Sequence, residues 1–471
     1  MTDFWAGRGI LIKHCFFTCV MLVLIFAAPA VRADGTEIES FVLDNHMQVV
    51  VIPDHRAPIV THMVWYRVGA ADDPEGQSGL AHFLEHMLFK RTKTLPEGEF
   101  SRIVARNGGR HNAFTSADYT GYYQTVAADR LPLMMQLEAD RMVNLELDEQ
   151  DVLSERDVVL EERSMRIDNQ PLALLREKMA AALFEEHPYG IPIIGWRREL
   201  EKLSLENVRE FYRKYYNPAN AILIVAGDVT PDQVRALAEK YYAPIPGTPV
   251  PERRRPPEPA QEAALRVEHR DERVQQPTWI RSYHAPSYSA GASHHAPALD
   301  VLSGLLGSGT TSLLYQKLVV EQKIAVAAGS NYNGTSYDPD TFLLYAIPRP
   351  GLAETPEEAL KIVEQAVDQV IAEFLADQTD PGMWAEDLKR VKTRLVAEAV
   401  YARDSISTMA QIYGQALTTG STIEDVQNWP QSIRTVTPED VRAAAGYVLD
   451  LRKSVTGLLL PADGAQTGET P

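Results

Sequence analysis

The stretch Ser78-Gly79-Leu80-Ala81-His82-Phe83-Leu84-Glu85-His86-Met87-Leu88 decides how this chain is interpreted. Ser78 and Gly79 precede an apolar run and favour a helix that begins there. At about 100° of rotation per residue, that helix has an apolar side and a polar side. The apolar side holds Leu80, Phe83, Leu84, Met87 and Leu88, and the polar side holds His82, Glu85 and His86. The stretch therefore predicts a helix that buries one stripe and presents three polar groups together.

The polar side reads H-x-x-E-H, a pattern typical of one class of metal-dependent hydrolases. His82 and His86 are one helical turn apart, so both imidazoles can reach one zinc ion. Glu85 would then act as a base toward water, whose pKa a catalytic zinc lowers to about 7. The alternative is an ordinary amphipathic helix with a solvated polar side, and the motif alone leaves both interpretations open.

A catalytic zinc usually has three protein ligands and one open position. Cysteine does not supply the third ligand, since Cys15 and Cys19 are the only cysteines and both lie in the N-terminal apolar segment. Glu155 and Glu162 lie seven residues apart in an acidic segment that we expect to be helical, so they share one face. One of them would be the ligand and the other would orient a histidine. The alternative is a charged surface helix.

Together these residues resemble the pitrilysin/insulinase family of zinc metallopeptidases, the inverzincins. The resemblance covers nearly all of the mature chain, and its closest subgroup is the short, two-domain members related to mitochondrial processing peptidase. In the family an E-R-x-x-x-x-x-E run follows H-x-x-E-H, as Glu155 to Glu162 does here, with 75 residues between His86 and Glu162. The resemblance implies that His82, His86 and Glu162 bind one zinc ion. It also implies that Glu85 is the general base and that Glu155 is a catalytic-site carboxylate behind the ligands.

Further stretches carry the same resemblance, namely 65–69, 108–115, 187–190 and 216–220. The paired glycines at 108 and 109 and the alternating residues after them suit a turn and a strand. In the family this strand is a sheet edge that receives the peptide substrate as an added strand. Asn112, Ala113 and Thr115 would bind the substrate there. The alternative is a hairpin turn whose polar residues are structural.

The resemblance also implies an α+β fold of two similar domains that face each other in a clam-shell, each a mixed, mostly antiparallel sheet flanked by helices. A proline-rich linker, 244–262, divides a zinc-binding domain at 36–243 from a peptidase-like domain without a metal site at 263–461. Residues 298–306 take the place of 82–88 in the second domain. The basic run 253–255 is interpreted as part of a solvated linker, and 462–471 as a disordered tail.

The second half departs from the family at two positions. Many members carry an arginine and, seven residues later, a tyrosine that hold the substrate from across the cavity. Val319 and Val326 stand at those positions here, and neither side chain donates a hydrogen bond. Since processing peptidases divide these tasks between two chains, we expect a zinc-bearing subunit in a heterodimer with a homologous partner that carries the Arg/Tyr pair. The alternatives are that a nearby residue substitutes, or that a homodimer suffices.

Composition and the N-terminal segment indicate a globular, exported protein. Of the 471 residues, 45% are apolar and 23% are charged, which suits two domains with sizeable cores. Arg8 and Lys13 precede an apolar run at 15–28 and small-residue cleavage sites, which predicts a signal peptide over 1–33 and a periplasmic or secreted protein. An uncleaved anchor is the alternative. The net charge of −18 argues against nucleic acid as a partner.

The sequence thus predicts an exported zinc-dependent endopeptidase that hydrolyses peptides or unfolded segments. The alternative from another class is a non-proteolytic binding or scaffold subunit of a processing-peptidase-like complex. An intact H-x-x-E-H together with Glu162 argues against the scaffold, because a scaffold has no need of those four residues.

Overall fold

The computed structural model of the protein describes residues 38–376 and 384–462. The predicted signal peptide lies outside the described residues, as does the predicted tail apart from its first residue. The described residues contain two sheets, one in each half of the chain, together with fourteen α-helices. No helix in these ranges is both long enough and apolar enough to span a bilayer.

The first half of the chain forms a six-stranded sheet with the order β1-β2-β6-β3-β5-β4. Its strands are β1 (Glu39–Val42), β2 (Gln48–Pro53), β3 (Ile59–Tyr66), β4 (Arg110–Thr115), β5 (Thr120–Ala127) and β6 (Ala221–Gly227). β2 and β6 are parallel, and all other neighbours are antiparallel. The helices of this half are α1 (Leu80–Met87), α2 (Glu99–Arg106), α3 (Leu131–Asn144), α4 (Glu149–Arg163), α5 (Pro171–Leu183), α6 (Arg197–Leu200), α7 (Leu205–Tyr215) and α8 (Pro231–Tyr241).

The second half forms a five-stranded sheet with the order β7-β11-β8-β10-β9. Its strands are β7 (Leu265–Asp271), β8 (Thr278–Ala285), β9 (Ala325–Tyr332), β10 (Asp340–Pro348) and β11 (Ser454–Pro461). β7 and β11 are the parallel pair. The helices are α9 (Ala296–Gly307), α10 (Pro356–Ala376), α11 (Ala385–Ala402), α12 (Ile406–Thr418), α13 (Ile423–Thr435) and α14 (Pro438–Val448).

The two sheets share one strand order once β1 is set aside. In each sheet the first strand of the half lies beside the fifth, followed by the second, the fourth and the third. β4 and β9 are therefore equivalent edge strands, and α1 and α9 both follow the second strand of their half. This shared order confirms the predicted α+β fold of two similar domains.

The central strand β6 shows why each half depends on the other. All seven of its residues are buried, which is typical of a strand covered on both faces. One face packs into the first-half core, while the other shares a hydrophobic cluster with α12 of the second half. Gly414 of α12 lies so close to β3 that a Cβ there would overlap the Trp65 ring. Conversely, α5 of the first half packs on the second sheet, where Met179 shares a cluster with Leu459. A helix from each half thus packs against the sheet of the other half, α12 on the first sheet and α5 on the second.

Two of the three arginines in the linker run 253–255, Arg253 and Arg255, are not solvated. The prediction of a solvated linker was wrong for these two residues. The Arg255 side chain is 6% exposed and pairs with Asp72 at 3.1 Å and Asp118 at 2.6 Å, both in the first half. It also pairs with Asp338 of the second half at 2.9 Å. Arg253 pairs with Asp72 as well, at 3.2 Å. A buried guanidinium needs such partners, and these carboxylates come together only in the folded chain.

Candidate metal centre

The helix that carries the motif, α1, begins at Leu80, and Gly79 is its N-cap residue, as the sequence predicted. Gly79 has a φ of 86°, and a Cβ there would lie 2.5 Å from the Ile194 carbonyl oxygen, so the position requires glycine. The Asp73 carboxylate accepts hydrogen bonds from three successive backbone N–H groups, those of Gly79, Leu80 and Ala81. These bonds satisfy N–H groups that a helix start leaves free. Sequence reasoning did not identify Asp73, which reaches the helix across a loop.

Protein encloses both sides of α1. The predicted apolar stripe packs into the first-half core, with Leu80, Phe83, Leu84, Met87 and Leu88 all buried. On the polar side His82 and Glu85 are also buried, with 8% and 9% of their surface exposed. This burial excludes the ordinary amphipathic helix with a solvated polar side. Polar groups in such a position require specific partners.

His82, His86 and Glu162 converge, and each offers a ligand atom within 4.8 Å of the others. Glu162 Oε2 lies 3.2 Å from His86 Nε2 and 3.7 Å from His82 Nε2. A tetrahedral zinc with bonds of about 2.1 Å would hold its ligand atoms roughly 3.4 Å apart. Glu162 Oε2 is buried and has no hydrogen-bond partner of acceptable geometry among the described residues. Two imidazoles and an unsatisfied carboxylate oxygen at this spacing fit a zinc ion.

Glu155 lies behind His86 rather than among these ligand atoms. Its Oε1 is 2.9 Å from His86 Nδ1, so Nδ1 donates to the carboxylate and Nε2 faces Glu162. Glu155 Oε2 pairs with Lys90 Nζ at 2.8 Å. In the structure Glu162 therefore lies among the candidate ligand atoms, whereas Glu155 contacts the far side of the His86 ring. Their spacing in the sequence had left open which glutamate takes which position. Sequence reasoning missed Lys90, although its position four residues after His86 was an available signal.

The two histidines differ in charge in the free protein. Burial lowers the pKa of His82 to about 4, and the neighbouring His86 adds to the decrease. Burial also lowers the pKa of His86, but the carboxylates of Glu155 and Glu162 outweigh it and raise that pKa to about 9. Since a metal ion binds neutral imidazole, zinc would have to displace a proton from His86 at neutral pH.

Glu85 faces the end of β4. Its Oε2 accepts a hydrogen bond of 2.6 Å from Thr115 Oγ1. Burial raises the pKa of Glu85 despite the opposing effect of that bond. A carboxylate with a raised pKa is better matched to proton transfer near neutral pH. The structure thus joins Thr115 to the candidate base, and its role toward substrate stays a prediction.

β4 is the outermost strand of the first sheet, as the resemblance implied. It pairs with β5 on one side, and no strand of the described residues covers the other side. An open edge of this kind can add a peptide as a further strand. Asn112 is exposed on β4 and has no side-chain hydrogen bond within the described ranges, while Ala113 packs partly against the core. Their roles toward substrate stay predictions.

Val319 and Val326, which stand at the family's arginine and tyrosine positions, lie beside and on the edge strand β9 of the second half. Val319 belongs to a π-helical turn, Tyr315–Glu321, and packs against the second core. Val326 is exposed on β9, the counterpart of β4. Apolar side chains at both places provide no donor to a substrate.

Comparison with known proteins places the chain in a family. Residues 48–196 match the model of Insulinase (Peptidase family M16), and residues 202–395 match that of the Peptidase M16 inactive domain. This chain belongs to the insulinase family, peptidase family M16. The second model begins before β6, although β6 pairs within the first sheet.

Relatives described as zinc proteases match nearly the full chain. Zinc protease PqqE of Helicobacter pylori is 31% identical over 451 residues, covering 94% of this chain and 97% of that protein. An uncharacterized zinc protease of Mycobacterium tuberculosis is 30% identical over 398 residues, covering 83% of this chain and 85% of that protein.

Solved structures agree with the fold. The crystal structure of a protease from Helicobacter pylori has a TM-score of 0.81 and 29% identity, and it covers 90% of this chain and 100% of that one. The first half of the periplasmic protease PqqL from Escherichia coli has a TM-score of 0.75 over 90% of this chain and 92% of that one. At 18% identity, this second likeness supports the fold alone.

Proposed function

We propose that this chain is a zinc-dependent endopeptidase that hydrolyses peptides or unfolded segments. The observation that carries the proposal is the convergence of His82, His86 and Glu162, in which the buried Glu162 Oε2 faces both imidazoles without a hydrogen bond among the described residues. In this proposal these three residues hold one zinc ion, which would polarise a peptide carbonyl and acidify water.

The chain's own residues carry the remaining tasks. The open edge of β4 binds the peptide as an added strand, so main-chain hydrogen bonds provide affinity with little demand on substrate sequence. Asn112 and Ala113 lie along that edge. Glu85 accepts a proton from the attacking water and passes it to the leaving amine, while Thr115 holds its carboxylate in place. Glu155 fixes the orientation of the His86 ring through Nδ1.

We further propose that a homologous partner chain supplies the Arg/Tyr pair. The proposal rests on Val319 and Val326, whose side chains donate no hydrogen bond. A cation and a hydroxyl directed at the substrate from a second chain would complete the site. Export to the periplasm or beyond is part of the same proposal and rests on the signal-like segment 1–33.

A quenched-peptide assay on mature protein with quantified zinc tests these proposals. The protein is assayed alone, with a co-expressed homologue that carries the Arg/Tyr pair, and as Glu85→Gln in both settings. Activity that needs the homologue and disappears in Glu85→Gln, with zinc still bound, supports a two-chain zinc peptidase. Activity of the single chain would contradict the divided site. Stoichiometric zinc without activity in any pairing would favour the non-proteolytic binding subunit instead.

A further inference from the structure

The two carboxylate oxygens of Glu162 have different surroundings. Oε2 is buried, lacks a hydrogen-bond partner and lies toward the two histidines. Oε1 forms an ion pair with Arg166, whose Nη1 lies 2.9 Å away. Oε1 is therefore paired with a cation on the solvent side, while Oε2 faces the two histidines of the candidate metal centre.

Arg166 approaches this carboxylate from the solvent side. It lies in the π-helical turn Ser164–Asp168, which directly continues α4, and it follows Glu162 by four residues. Its side chain is 71% exposed, whereas that of Glu162 is 14% exposed. Arg166 thus contributes little to the core, and at the candidate metal centre it pairs with Oε1 of Glu162. Sequence reasoning did not single it out, although the spacing of four residues was visible.

A glutamate ligand can bind a metal ion through one oxygen or through both. Catalytic zinc keeps one of its four positions open for water or substrate, and a second glutamate oxygen would fill it. A guanidinium paired with one carboxylate oxygen opposes the approach of a metal ion to that oxygen, because like charges repel. We infer that Arg166 is a positioning residue that restricts Glu162 to one metal-binding oxygen and so keeps a coordination position open.

The neighbouring carboxylates are also oriented by groups of the protein. Glu155 directs Oε1 to His86 Nδ1, while Lys90 holds Oε2 at 2.8 Å. In Glu85, Thr115 holds Oε2.

The inference rests on the proposed zinc site, and its test separates the two. The experiment compares wild type, Arg166→Met and Arg213→Met. The Zn²⁺-loaded proteins are used to measure metal content and steady-state peptidase kinetics, under whichever pairing gives activity. The Co²⁺-loaded proteins are used to record the visible absorption spectrum. Arg213 is a matched control, since it is 64% exposed and pairs with Glu206 on α7 outside the metal centre. Four-coordinate Co²⁺ absorbs more strongly in the visible than five-coordinate Co²⁺, so the spectrum reports whether Glu162 binds through one oxygen or two.

We expect Arg166→Met to retain one metal ion per chain while its cobalt absorption weakens. Its kcat should fall roughly ten- to a hundred-fold with KM nearly unchanged, as is usual when a group that orients a metal ligand is lost. Arg213→Met should match wild type in both readouts. A wild-type cobalt spectrum in Arg166→Met would overturn the inference, even if kcat fell, because Arg166 would then act on the substrate. Equal changes in both variants would also overturn it. Absence of bound metal in wild type would instead contradict the proposed function.

Discussion

α1 and α9 occupy equivalent places in the two halves, yet the partly buried carboxylates at these helices have different surroundings. Beside α1, the pKa of Glu155 is lowered to about 2, mainly by its hydrogen bond with His86 and to a smaller extent by its interaction with Lys90. On α9, burial raises the pKa of Asp300 to about 6, and its hydrogen-bond donors, Tyr288 and Trp429, are neutral. A partly buried acid thus lies beside α1 and another on α9, and the neighbouring groups decide whether each acid is kept charged.

The largest expected effect comes from the acid on α1 with the proposed catalytic role. Glu85→Gln should lower kcat by about 10²- to 10⁴-fold, the usual contribution of a general base, while zinc stays bound. Asp300→Asn on α9 should leave activity near wild type. Peptidase kinetics with metal analysis on both variants checks the contrast. Comparable losses of activity in the two variants would show that the halves do not differ in the way proposed.

A second comparison concerns the glutamate behind His86. Glu155→Gln should weaken zinc binding roughly ten- to a hundred-fold, because the His86 ring loses its charged acceptor. Glu161→Gln on the same helix is the control, since Glu161 is exposed. Competition with a chelator measures both affinities. An unchanged zinc affinity in Glu155→Gln would remove Glu155 from the site.

The two edge strands provide the third comparison. Thr115→Val should lower kcat about tenfold with KM and metal content maintained, since a hydrogen bond to a charged group is lost. Thr115→Ser should recover most of the rate. In the second half Ser330 of β9 donates at 2.8 Å to the backbone oxygen of Ser303 on α9, so Ser330→Ala should leave the rate unchanged. A Thr115→Val variant that loses only substrate affinity would assign Thr115 to substrate binding.

The smallest effect on activity, and a measurable one on stability, belongs to Asp300. Its folded pKa of about 6 exceeds the ordinary value of 3.8, so the folded protein binds this proton more tightly than the unfolded chain does. The resulting stabilisation, about 3 kcal/mol, is complete below about pH 4 and is lost as pH rises through about 6. Asp300→Asn should flatten unfolding stability across that window. Denaturant unfolding at several pH values would contradict this account if the variant kept the wild-type slope.

Local sequence patterns were enough to predict the helix that carries the motif. Part of the surroundings of the site depends on long-range contacts, which such patterns do not reveal. The apolar stripe and the polar side of α1 follow from helical periodicity, and the structure confirms both. Lys90 and Arg166 each follow a site residue by four positions, so their contacts could have been predicted in the same way. The contacts of Arg255 could not, because its partners are distant in sequence and meet only in the folded chain. Asp73 is near its partners in sequence, but the loop that returns it to the start of α1 has no helical spacing from which the contact could be predicted.

The exchange of helices between the halves sets a limit on how this gene can be divided. A fragment that ends in the linker would expose the face of β6 that α12 covers, and the other fragment would lack α5 over its sheet. Each piece produced alone would present a large apolar surface, which favours aggregation. Produced together, the two pieces should associate and restore the intact arrangement, so a cut between 244 and 252 suits a split-protein reporter better than the production of either domain by itself.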